Sequence, residues 1–232
     1  MPNFIIAGIG TEVGKTVVSA ILTTLFQGDY WKPVQTGEEE VSDTSMMQTL
    51  IDTTKHRIHP PAYSFKAPVS PHAASRMENT SINPDNILLP HTLRPLIIEM
   101  AGGIFTPLSL SSTAVSKSLF LNSSDLWIAS KPRGWINLDL FKCWQGTWIL
   151  VSKHYLGSIN HTLLTHYALK QHNIHPAGLI FNGKPDLDTE EAILQASKLP
   201  LLGRLLPEPT INPKTIQKYA EQWKPQFLQM IH

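Results

Sequence analysis

The chain has 232 residues, of which 42% are hydrophobic and 16% charged, and 19 Lys and Arg stand against 18 Asp and Glu for a formal net charge of +1. That balance leaves no electrostatic footprint for a polyanion, so nucleic acid is not an expected partner, and no apolar run approaches the roughly 18 residues of a bilayer span. The single cysteine, Cys143, excludes an intrachain disulfide, and the N-terminus has no basic stretch leading into an apolar signal segment; both fit a cytoplasmic enzyme. One α/β domain over residues 1–232, without internal repeats, is expected.

The first element organises the rest. Asn3 to Ala7 is an apolar run that suits a buried strand, Gly8 and Gly10 open a turn, and Val17, Val18, Ile21, Leu22 and Leu25 recur at helical spacing after Gly14-Lys15-Thr16. Strand, glycine loop and helix together cradle phosphate: backbone N–H groups converge with the positive end of a helix dipole. In such a loop Lys15 supplies mobile positive charge and the Thr16 hydroxyl a magnesium ligand. Five residues separate Gly8 from Gly14, one more than the common phosphate loop carries.

Tyr30 to Gly37 reads as a second strand running into a loop at Pro33 and Gly37. In a parallel sheet its carboxyl end shares an edge with the phosphate loop, so Lys32 and Thr36 reach the same crevice. The acidic run Glu38 to Glu40 is a solvated loop. Asp43 is either the N-cap of a helix carrying Met46, Met47 and Leu50 or a metal ligand. Five prolines between Asp52 and Asn86 leave room for one short helix, around His72 to Met77, with Ser70-Pro71-His72 at its start.

The stretch Leu96 to Gly103 is a buried-strand run ending in a carboxylate and then two glycines, which places Glu99 at the strand's carboxyl end beside the phosphate loop. An acid there needs a partner: magnesium held with Thr16 and Asp43, or a resting ion pair with Lys15 or Lys32. Trp148 to Val151, Gly178 to Gly183 and Leu201 to Gly203 are further strands, and a helix opens near Gly157. Alternating strands and helices predict a three-layer, mostly parallel α/β sheet of the P-loop NTPase type, with helices on both faces. His172 and His175 straddle a helix end without a third ligand, so no metal is assigned to them. The segment from Ile216 to Ile231, with Tyr219, Trp223 and Phe227 four apart, docks on the core and is interrupted at Pro225.

With these stretches in hand the chain resembles the dethiobiotin synthetases. GTEVGKT at Gly10 to Thr16, KPVQTG at Lys32 to Gly37, SPH at Ser70 to His72, EMAGGIFTPLS from Glu99 and LGSINHTLLT from Leu156 carry the resemblance over most of the chain. It implies an ATP- and magnesium-dependent ligase, a homodimer, that closes a cyclic urea from 7,8-diaminononanoate and CO2 through a carbamate and a carbamic-phosphoric anhydride. It also implies that Gly10, Thr11, Glu12, Val13, Gly14, Lys15 and Thr16 bind ATP together with Asn182, Pro207 and Glu208. Lys15, Lys32 and Thr11 would be catalytic, and Thr16, Asp43 and Glu99 would surround Mg2+. Lys32, Thr36 and Ser70 would bind substrate, and Gly157, Ser158 and Asn160 would receive its carboxylate tail across the dimer interface.

Three departures stand out. Met100 replaces the usual glycine and places a side chain beside the catalytic edge, where a flexible methionine either simply packs or changes the fit of nucleotide or substrate. Tyr155 stands where a basic residue is frequent. The segment from about Leu110 to Gly146 is longer than the family pattern, by on the order of two dozen residues; within it Asp125–Ala129 and Gly134–Leu138 read as the arms of a β-hairpin. The rival function is a nucleotide-switch ATPase of the same superfamily, acting as a partner-binding protein. Partitioning and cell-division-site ATPases carry an extra lysine near the positions of Ile9 and Gly10, and this chain does not.

Overall fold

Phe4, Ile5, Ile6 and Ala7 are all buried because their strand lies at the centre of a sheet, paired on both edges. The computed structural model describes residues 1–38, 40, 42–109 and 134–231. In chain order its elements are β1 (Asn3–Gly8), α1 (Lys15–Phe26), β2 (Asp29–Trp31), β3 (Val34–Thr36), α2 (Asp43–Leu50), β4 (Ile58–His59), β5 (Tyr63–Phe65), α3 (Pro71–Met77), β6 (Leu96–Gly103), α4 (Asn137–Phe141), β7 (Thr147–Lys153), α5 (Ser158–Gln171), β8 (Gly178–Asn182), α6 (Leu187–Ser197), β9 (Leu201–Leu205) and α7 (Pro213–Ile231).

Seven strands form one parallel sheet in the order β4-β2-β6-β1-β7-β8-β9, and β3 pairs with β5 in a small second sheet. Helices cover both faces, as the alternation of strands and helices predicts. Side chains of β1 alternate between two cores. Phe4 and Ile6 join Val18, Ile21, Tyr219, Trp223 and Phe227 under α1 and α7. Ile5 and Ala7 join Trp31, Trp148, Phe141, Leu169 and Ile193 on the other side.

Several expectations are corrected. Pro33 splits the expected second strand into β2 and β3, since it has no N–H to give a ladder. Two strands, β4 and β5, lie in the proline-rich stretch, too short at two and three residues to show a period. The cap of α2 is Ser42, whose hydroxyl accepts from the backbone N–H of Ser45 at 3.1 Å; Asp43 is the first helical residue. β6 runs on to Gly103, so Glu99 sits mid-strand, opposite Ile6 of β1. α7 continues through Pro225. The lost hydrogen bond there costs about 3 kcal/mol, and burial of Tyr219, Trp223 and Phe227 on either side holds both halves in place.

Of the expected hairpin, residues 125–133 lie outside the described residues. The second arm is not a full strand: Trp135 exchanges backbone hydrogen bonds with Ser109, Ile136 bridges to Pro107, and α4 begins at Asn137. Asn137 is fully buried, and its amide donates to the carbonyls of Ala101 at 2.6 Å and Gly103 at 2.9 Å, fixing the end of β6.

Candidate active site

The turn between β1 and α1 closes because of two backbone positions. Glu12 adopts a positive φ of 53°, and Gly14 caps α1 at φ 96°, a region open to glycine. A Cβ on Gly14 would lie 2.4 Å from Nδ2 of Asn182, the amide that donates to the Val13 carbonyl at 2.9 Å. The strand end of β8 therefore holds the loop in shape from outside.

Lys15, the first residue of α1, is buried and folds back so that Nζ donates to the Gly10 carbonyl at 2.7 Å. Burial lowers its pKa to about 8, against the opposing pull of Glu99; nearby Lys32 lowers it further and Asp43 raises it. Thr16 follows, with Oγ1 at 2.5 Å from Asp43 Oδ1 and 3.0 Å from Glu99 Oε1. The one hydroxyl proton serves one of these oxygens at a time, so three hard oxygens converge here, with the Lys32 ammonium as the other donor to Glu99 Oε1.

Lys32 leaves β2 towards the same point and is buried between the two acids, paired with Asp43 and 3.2 Å from Glu99 Oε1. Burial disfavours its charge, but Glu99 and Asp43 outweigh that and raise its pKa. Asp43 is pushed up by its own burial and pulled down further by Lys32 and by hydrogen bonds from Lys32 and Thr16, so it stays below the ordinary carboxylate range. Glu99 is 1% exposed, and its Oε2 accepts from the Tyr30 hydroxyl at 2.9 Å.

Around this cluster opens a cleft of about 650 Å³. Its walls include Thr11, Glu12, Gly14, Lys15, Thr16, Lys32, Thr36, Asp43, Ser70, Glu99 and Asn182, so residues far apart in the chain meet as expected. Ser70 Oγ is 3.0 Å from His72 Nδ1. Gly10 contributes its carbonyl to Lys15, and Val13 is buried beneath the loop.

Other expected site residues lie elsewhere. Gly157, Ser158 and Asn160 line a second cavity of about 1120 Å³ with Tyr155, Leu156 and Lys184. Pro207 and Glu208 are not on the wall of the phosphate cleft; Glu208 is held by Lys218 at 2.8 Å and the Tyr219 hydroxyl at 2.7 Å. They follow Leu205, the β9 partner of Asn182, which keeps them near that edge of the sheet. Of the two alternatives for Met100 the structure has packing: it is fully buried in the core containing Ile5 and Trp31, because its neighbour Glu99 takes the opposite face of β6.

Tyr30 was not singled out by sequence, although strand alternation puts it on the same face as Lys32. Thr106 was also missed; it lines the cleft and accepts the Gly103 N–H at 3.0 Å. Among the described residues no group of three His, Cys, Asp or Glu side chains forms a metal centre, so a cation here would rest on two carboxylates and a hydroxyl. That donor set suits a small hard cation that keeps water and phosphate oxygens as its other ligands. Among the described residues no helix is long and apolar enough to cross a membrane.

A family described as an AAA domain matches residues 2–122 and 111–215. The chain is 40% identical over 222 residues to the ATP-dependent dethiobiotin synthetase BioD of Chlamydia felis, covering 96% of this chain and 94% of that one. The chain belongs to the ATP-dependent dethiobiotin synthetase family. A second dethiobiotin synthetase, from Chlamydia pneumoniae, is 41% identical over 224 residues, with 97% of this chain and 90% of the other covered. As a member of the dethiobiotin synthetase family the chain is an ATP-dependent ligase of biotin biosynthesis. A plasmid partition protein from Borrelia burgdorferi bound to AMPPNP matches with a TM-score of 0.57 at 14% identity over 98% of each chain; that likeness is one of fold.

Proposed function

We propose that this chain converts 7,8-diaminononanoate, CO2 and ATP to dethiobiotin, ADP and phosphate, as a cytoplasmic homodimer whose protomer is one domain. The observation that carries the reading is the convergence of Lys15, Lys32, Thr16, Asp43 and Glu99 on one cleft at the carboxyl edge of the sheet, in a chain 40% identical to a dethiobiotin synthetase.

The chemistry runs in three steps. One amine of the diamine attacks CO2, forming a C–N bond and, on loss of a proton, a carbamate. A carbamate oxygen then attacks the γ-phosphorus of ATP and ADP leaves, giving a carbamic-phosphoric anhydride. The second amine attacks the carbonyl carbon, phosphate departs with the bridging oxygen, and the ring closes. None of these steps needs a protein nucleophile, so positioning and charge stabilisation carry the catalysis.

Membership of the family and the shared cleft support the following roles. The loop Gly10–Thr16 receives the phosphates, with Asn182, Pro207 and Glu208 towards the adenine side. Lys15 exchanges the Gly10 carbonyl for phosphoryl oxygens and stabilises the charge on the transferring group. Lys32 and Lys15 hold the carbamate, Thr36 and Ser70 orient the diamine, and Thr11 lies at the junction of the two substrates. Thr16, Asp43 and Glu99 would hold Mg2+, which when bound neutralises charge on the β- and γ-phosphate oxygens. With a cation on the two acids, Lys32 would be free to meet a carbamate. The exposed Leu156 and Leu187 on the wall of the second cavity, with the exposed Leu164 and Tyr167 further along α5, support pairing of two copies, with Gly157, Ser158 and Asn160 taking the substrate tail.

Purified protein with magnesium, ATP and bicarbonate tests this, with and without 7,8-diaminononanoate. Diamine-dependent phosphate release that matches dethiobiotin by mass spectrometry is the expected result. Diamine-independent hydrolysis without dethiobiotin would favour the nucleotide switch.

A further inference from the structure

We propose that Tyr30 is a positioning residue for Glu99: its hydroxyl fixes one carboxylate oxygen so that the other faces Thr16 and an incoming divalent cation. The inference rests on the assignment of Thr16, Asp43 and Glu99 as the cation-binding set.

Tyr30 lies on β2 opposite Ile97 of β6, and Ile97 shares a face of β6 with Glu99, two residues on. The pair is therefore diagonal across adjacent strands, within reach of an aromatic side chain. The Tyr30 ring is fully buried in the core that also contains Ile21, Met47 and Ile97, so packing fixes its rotamer. Its hydroxyl donates to Glu99 Oε2 at 2.9 Å, while Thr16 and Lys32 both meet Oε1, at 3.0 and 3.2 Å.

This division of labour matters because Glu99 is buried and each of its oxygens needs a partner. Lys32 cannot satisfy Oε1 and also serve the substrate. With Oε2 held, the carboxylate keeps its orientation when Lys32 leaves, and Oε1 passes from the ammonium to the cation without a rotamer change. Without the phenol, Glu99 is free to turn and present Oε2 instead. An ordinary tyrosine phenol is protonated near neutral pH, so Tyr30 has the proton that this hydrogen bond needs. What tyrosine adds here over phenylalanine is this hydrogen bond to an oxygen of the cation-binding set, the kind of contact that orients a ligand from behind.

The test is ADP binding to full-length Tyr30→Phe by calorimetry, first in EDTA and then in saturating Mg2+. The Mg2+-dependent gain in ADP affinity is expected to fall about tenfold, with affinity in EDTA unchanged. An unchanged gain would reduce Tyr30 to packing, and an equal loss in EDTA and in Mg2+ would mean that it shapes the loop; either result overturns the proposal. Glu99→Gln keeps the tyrosine and serves as a second variant. Tyr30→Phe on that background should change the gain less than about twofold, and a full tenfold further loss would show that the hydroxyl acts elsewhere. If Tyr30→Phe does not fold, retention of the full gain in Glu99→Gln alone overturns the proposal. Dethiobiotin formation by the wild-type preparation is read in parallel, so a failure of the ligase assignment is separable from a failure of this one.

Discussion

Lys32 Nζ stands 3.2 Å from Oε1 of Glu99, both side chains buried, with Asp43 pairing the same ammonium from the other side. The lysine thus bridges the two acids that flank Thr16, and the site rests as a closed set of charges. Replacing Lys32 or Lys15 with alanine is expected to reduce turnover by ~100-fold or more, the scale of removing one preorganised charge from a developing anion. Steady-state assays alongside circular dichroism check this, and near-normal turnover in either variant removes that lysine from the mechanism.

The same bridge makes a stability prediction. Lys32→Ala removes the ammonium that pairs Asp43 with Glu99 and leaves only the more distant charge of Lys15, and in EDTA the variant should lose about 3 kcal/mol, the cost of stranding one side of a buried pair. Adding Mg2+ should stabilise the variant more than the wild type. Equal Mg2+ effects in urea melts of the two proteins would argue against cation binding at these acids.

Gly14 is constrained twice, by a φ of 96° and by Asn182 Nδ2 at 2.4 Å from where a Cβ would lie. Gly14→Ala must shift Asn182 or the loop, and an ADP affinity loss of at least about tenfold is expected from disturbing the phosphate cradle. Fluorescence titration with a labelled nucleotide measures it. Asn182→Ala, which frees the space, should soften the effect of Gly14→Ala when the two are combined.

Asp29, at the opposite end of β2 from Lys32, supplies a pH dependence away from the site. Its own burial pushes the carboxyl up, but the Thr92 hydroxyl at 2.7 Å, the Arg57 N–H at 3.0 Å and the charges of His59 and Arg94 outweigh this and hold it below the ordinary 3.8. A carboxylate depressed on folding contributes stability that is complete above its unfolded value and is lost as pH falls through the folded one. Thermal melts below about pH 4 should therefore fall more steeply for wild type than for Asp29→Asn. Parallel curves would deny Asp29 that role.

The phosphate loop, the core strands and the meeting of Lys32, Asp43 and Glu99 with Thr16 were legible because a parallel sheet gathers strand ends on one edge, and apolar runs mark the strands. What escaped depended on which way a side chain points or on tertiary context. Met100 was open to the cleft or to packing by its local sequence, and alternation along β6 turns it into the core once Glu99 faces the loop. Tyr30 shows its function only when β2 is seen next to β6, since its partner is 69 residues away. Pro225 broke the helix by local rules, and buried aromatics on both sides of it overrode them. The stretch at Gly157 opens a helix as expected, yet neither Gly157 nor Glu208 is on the wall of the cleft around Lys15.

In the proposed reaction ATP phosphorylates a carbamate oxygen derived from CO2. The most direct test of this step is a short incubation of enzyme, 7,8-diaminononanoate and Mg·ATP with bicarbonate labelled with 13C and 18O, before the oxygen label exchanges with water. Dethiobiotin carrying one 13C and released phosphate carrying one 18O are the predicted products, because the bridging oxygen leaves with phosphorus. Phosphate free of 18O, formed alongside labelled dethiobiotin, would contradict the account.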